Sequence, residues 1–97
     1  MIEEMWHQGR SVENVSDIQC GSFLIYHDQF DLQVSDRFAL FVIISLFEES
    51  TRLNRKDILC SIQRISTQPD WFDVFPEKHY LNCSNLCSSV FWKIYGM

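Results

Sequence analysis

The sequence predicts a mainly α-helical domain, a small bundle of four or five helices, and three observations carry that reading. Apolar residues recur at helical spacing in two stretches, Ile58, Leu59, Ile62, Ile65 and Leu86, Val90, Phe91, Ile94, Tyr95. Residues suited to helix ends flank them, with Asn54 before the first, Pro69 after it and Gly96 behind the second. The intervening stretches are short, as they are between antiparallel helices. The competing class is α+β, with a short strand pair around residues 22–34.

Taken in order, residues 2–8 suit a short opening helix with Ile2, Met5 and Trp6 on one side. Ser11 can cap a second helix carrying Val12, Val15 and Ile18, which Gly21 interrupts. The section SFLIYHDQFDLQV fits either a helix or a strand pair, because its periodicity does not separate them. Ser35 and Asp36 then suit the start of a helix over about residues 36–52. Its core is FALFVIISLF, a run with almost no polar face. Val42, Ile43 and Ile44 lean toward strand, whereas Glu48 with Arg52 and Leu46 with Leu53 continue a helical pattern. Asn54 with Asp57 makes a loose capping box for the next helix, which Pro69 ends. The last helix carries the second stripe to Gly96.

The 97 residues form a single domain, 1–97, with no repeat, linker or low-complexity tract. At 46% hydrophobic and 22% charged the composition is globular, which sets aside an intrinsically disordered chain. Eight Phe, three Trp and three Tyr are more aromatic surface than a small domain readily buries, so part of it is expected to meet a partner or a second copy. The N-terminal stretch MIEEMWHQGR lacks the basic and apolar regions of a secretory signal. The longest apolar run is also too short for a membrane span. A soluble, cytoplasmic protein with reduced thiols is expected.

The net charge is −5, and it is uneven. Residues 1–49 set nine carboxylates against Arg10 and Arg37, and residues 50–97 set four against six basic residues. Such a balance opposes phosphate backbones and favours basic partners. Arg52, Arg55, Lys56 and Arg64 lie on a segment that resembles a helix-turn-helix in outline. The usual turn glycine is missing and the rest of the chain is acidic, so direct nucleic-acid binding ranks low.

Catalytic and cofactor signatures are sparse. His79, Cys83 and Cys87 would share one face of a continuous helix, but three ligands without a Cys-x-x-Cys knuckle make a weak zinc site. No metal and no cofactor is expected. His27 with Asp28 and Asp31 offers a base and carboxylates without a nucleophile. Three glycines leave no phosphate-cradling loop, and no enzymatic activity is expected.

The segment TQPDWFDVFPE, residues 67–77, fits a partner surface better. Pro69 and Pro76 restrict its ends, which lowers the ordering cost of binding. Trp71, Phe72 and Phe75 are interface anchors by type, with Asp70, Asp73 and Glu77 as a charged rim and Asp28 and Asp31 as further acids. Trp71, Val74 and Phe75 equally suit one helical turn facing the core. The function expected is an acidic protein-binding inhibitor, most concretely an immunity protein or antitoxin masking a basic, nucleic-acid-cleaving toxin. Its likeness to toxin-neutralising proteins is one of composition and size. The alternative is a homodimeric helical adaptor, with FALFVIISLF and VFWKIY buried across a twofold axis.

Overall fold

A computed structural model describes residues 2–28, 37–50, 56–68 and 78–96, and it overturns the helical bundle. These residues form one antiparallel sheet of six strands: β1 (Arg10–Ser11), β2 (Phe23–Asp28), β3 (Arg37–Ser50), β4 (Lys56–Gln68), β5 (Lys78–Asn82) and β6 (Trp92–Tyr95). The spatial order is β1-β6-β2-β3-β4-β5, a meander from β2 to β5 with β6 returning between β1 and β2. Two short helices, α1 (Ile2–Gln8) and α2 (Cys83–Leu86), and a 3₁₀ turn at Val15–Asp17 complete the described elements. Among the described residues no helix is long and apolar enough to cross a membrane.

The run FALFVIISLF is a strand, and from Phe38 to Ile43 its neighbours cover both faces. Phe38 and Leu40 are buried on one face, and Ala39, Phe41 and Ile43 on the other. Consecutive burial of Phe38, Ala39, Leu40 and Phe41 removes the period that would distinguish helix from strand. The β-branched residues Val42, Ile43 and Ile44 then decide it, because they fit a pleated surface. The helix expected after Asn54 is β4 for a related reason. Ile58 and Ile62 are four apart, an even spacing that keeps them on one face in a strand as well as in a helix. The final helix divides into α2 and β6, in which Trp92 and Ile94 are buried at period two.

The first face of the sheet carries the larger core. Leu24, Ala39, Phe41, Ile43, Cys60, Ile62, Trp92 and Ile94 are covered there by Val12, Ile18, Cys83 and Leu86. The cover is held by local polar groups. The Asp17 carboxylate accepts the backbone N–H groups of Glu13 and Asn14 at 3.2 and 3.0 Å, where a Ser11 cap was expected. Asn82 Oδ1 caps α2 by accepting the Ser84 N–H at 3.0 Å.

The second face is covered by α1, the one helix whose position and buried side follow the sequence pattern. Ile2 and Trp6 pack on Ile25, Phe38 and Leu40, with Met5 beside them. The Lys93 ammonium donates to the Trp6 carbonyl at 3.2 Å and lies 4.5 Å from the Trp6 ring centroid. Gly21, at φ +86°, makes the turn into β2 and donates its N–H to the Ile43 carbonyl at 2.8 Å. The left-handed backbone there suits glycine and strains any residue with a Cβ.

Candidate functional site

β3 and β4 run further than the strands beside them, and that difference in length creates the exposed surface of interest. β2 pairs with β3 only over Arg37–Val42, and β5 pairs with β4 only over Leu59–Gln63. The pairing of β3 with β4 continues to Ser50 and Lys56. The strands therefore project as an arm in which β3 has an open outer edge after Ile43, and beyond Phe47 and Leu59 the two strands continue alone. The register shifts between Ile43 and Ser45, so Ile44 is a bulged residue at the base of the arm.

The arm keeps the apolar character of the buried run but loses its cover. Ile43 is 1% exposed, whereas Ile44 is 47%, Leu46 37% and Phe47 40% exposed. Phe47 meets Tyr80 of β5 edge-on, with ring centroids 5.8 Å apart, and Tyr80 is itself 66% exposed. Leu59 sits opposite Phe47 in register and shares its face. Glu49 and Asp57 sit opposite each other on the face of Phe47, while Glu48 lies on the other face beside Leu46, where the Lys56 ammonium lies 4.0 Å from its carboxylate. That ion pair is exposed on both sides and adds little stability. An apolar centre with a charged rim is the usual anatomy of a protein interface, and contiguous exposed aromatics mark one.

The residues singled out in the sequence are distributed differently. Asp70, Trp71, Phe72, Asp73, Phe75 and Glu77, and Asp31 as well, lie outside the described residues. Asp28 ends β2 opposite Arg37, half-buried, away from the β3–β4 arm. His27 lies on the second face, stacked on Phe38 with a 4.4 Å centroid separation and 4.9 Å from Trp6. Successive strand residues point to opposite faces, so Asp28 does not converge with the His27 ring. The basic segment expected as a helix is strand β4 in its described part, which removes the recognition helix that a helix-turn-helix would place in a groove.

The helical face expected for His79, Cys83 and Cys87 also does not form, because His79 lies in β5 and Cys83 opens α2. Among the described residues no group of His, Cys, Asp and Glu is arranged to hold a metal. Cys60 and Cys83 instead face each other in the core, with no exposed surface. Burial pushes the Cys60 thiol up to about 12, with Cys83 beside it adding to the shift. Burial raises Cys83 as well. Thiols held protonated and out of solvent are packing groups rather than nucleophiles.

Ile44, Leu46 and Phe47 fall within FALFVIISLF, which the sequence offers as a twofold interface on a helix rather than a strand, and Tyr80 of β5 has no such signal. A usable signal was present in two β-branched apolar runs of similar length on either side of residues 51–55, the pattern of a long hairpin. No family model, curated protein or solved structure matches the chain.

Proposed function

We propose that the protein is a binding module that captures a basic protein partner on the β3–β4 arm. In its most concrete form it is an inhibitor of the immunity-protein or antitoxin type, masking the cationic surface of a nucleic-acid-cleaving toxin. The observation that carries this reading is the Phe47–Tyr80 pair, held in contact yet open to solvent among carboxylates. The arrangement divides two tasks. The net charge of −5 steers a cationic partner, with association approaching ~10⁸–10⁹ M⁻¹s⁻¹ at low salt when complementarity is strong. Desolvated aromatic side chains then slow its release.

The same charge opposes direct contact with phosphate backbones. A cytoplasmic setting belongs to the proposal, supported by four cysteines that are all free thiols. Affinity capture from the source cells tests the reading, using the wild-type chain and a Phe47→Asp/Tyr80→Asp variant as paired baits. The expected result is a basic protein retained by the wild type, lost with the variant and weakened by salt. Equal retention by both baits would move the binding surface elsewhere. A captured protein whose nuclease activity is unaffected by the chain would remove the inhibitor form.

A further inference from the structure

The outer edge of the arm presents backbone groups that no described strand takes up. Ile43 directs both its backbone groups toward the turn before β2, donating to the Ser22 carbonyl at 3.0 Å and accepting from Gly21 at 2.8 Å. Ser45 is paired with Ser61 beyond the bulge at Ile44. The antiparallel alternation therefore turns the backbone N–H and C=O groups of Leu46, Glu48 and Ser50 to the same outer edge. Among the described residues no strand pairs with that edge beyond Ile43. An unpaired edge flanked by exposed apolar side chains is a template for another strand.

We infer that the occupant is a second copy of this chain, paired antiparallel along β3 with Phe47 on the twofold axis. The charge pattern of the edge selects that register. Centring the pair on Glu48 or Glu49 sets two glutamates opposite each other, which is unfavourable. Centring it on Leu46 brings the partner strand against Ile43, whose outward groups are already used. Centring it on Phe47 places Leu46 opposite Glu48, Ser45 opposite Glu49 and Phe47 opposite its own copy. Of the registers centred on Leu46 to Glu49, the glutamates act against two and the occupied groups of Ile43 against a third, which leaves the one centred on Phe47. The pairing brings Phe47 and Tyr80 of both copies onto one continuous face. A single arm is small beside the ~800 Å² per partner of a standard interface, and the dimer doubles it.

Sedimentation velocity of the purified full-length chain, up to about 200 µM, tests the pairing without any partner protein, in a range where a weak contact is visible. A reversible dimer is expected. Glu48→Pro should give a folded monomer, because proline is tolerated on a strand edge but removes an outward N–H. Val90→Asp, an exposed site outside β3 and β4, should leave the dimer intact. In a Cys20→Ser background, Phe47→Cys should cross-link between copies under glutathione disulfide and Glu49→Cys should not. A chain that stays monomeric across the range would overturn the inference, as would dimers that cross-link through Glu49→Cys instead. Either failure leaves the basic-partner reading standing, since that is read by capture rather than by self-association.

Discussion

Phe41 and Phe47 belong to one apolar run on one strand, yet their energetic roles are opposite. Phe41 has no exposed surface and packs against Trp92 with centroids 5.7 Å apart. Phe41→Ala should cost about 3–5 kcal/mol in urea unfolding, because it leaves a cavity in the larger core. Phe47→Ala, at a site 40% exposed, should cost about 1 kcal/mol or less while weakening partner capture. The buried thiols give a separate prediction at the same scale. The Cys60 pKa rises from 9.0 to about 12 on folding, so between those values the folded chain holds a proton that the unfolded chain releases. Stability should fall as pH rises from about 9 through about 12. Cys60→Ala should flatten that slope in denaturation measured across the range. Exposed Cys20 should be alkylated well before Cys60 or Cys83 in the native state.

At the scale of elements, the contrast between α1 and the long strands shows which parts of the fold were legible in the sequence. The helix α1 was readable because Ile2, Met5 and Trp6 form one side of a local pattern, with Glu3 and Glu4 in its first turn. At seven residues it is too short to persist alone, so its stability comes from Ile2 and Trp6 on the sheet. Trp6→Ala should cost about 3–5 kcal/mol and should release amide protection across α1 in hydrogen exchange. The strands were not readable because their cover comes from distant residues. Ile58 and Ile62 fit a helix and a strand equally, and nothing local to FALFVIISLF states that α1 and α2 lie over opposite faces of its sheet. The exposed surface proposed for binding was hidden for the same reason. Phe47 is exposed because α1 packs over Ile25, Phe38 and Leu40 and does not reach it, and the length of α1 is set elsewhere in the chain. The aromatic–acidic segment Asp70–Glu77 lies outside the described residues, and the exposed aromatics that the structure describes are Phe47 and Tyr80, with Glu49 and Asp57 on their face.

For the whole molecule, the sheet separates the buried core from the surface proposed for recognition along its strands. The buried clusters lie where α1, α2 and the Val15–Asp17 turn cover the sheet, and the arm leaves that cover after Ile43. Recognition can therefore be altered at Phe47 and Tyr80 without disturbing Phe41 or Trp92. The acidic balance acts over a longer range than these contacts. Raising salt, which shortens the Debye length below its physiological value of about 8 Å, should slow capture of a basic partner more than it speeds release, as stopped-flow mixing at two ionic strengths would show. Hydroxyl-radical footprinting of the chain, alone and with its captured partner, tests the role of the arm most directly. Phe47 and Tyr80 should oxidise readily in the chain alone, and several-fold more slowly with the partner bound, while Phe41 stays protected and Val90 reactive throughout. Phe47 as protected as Phe41 in the chain alone, or Phe47 and Tyr80 unchanged on binding, would contradict it.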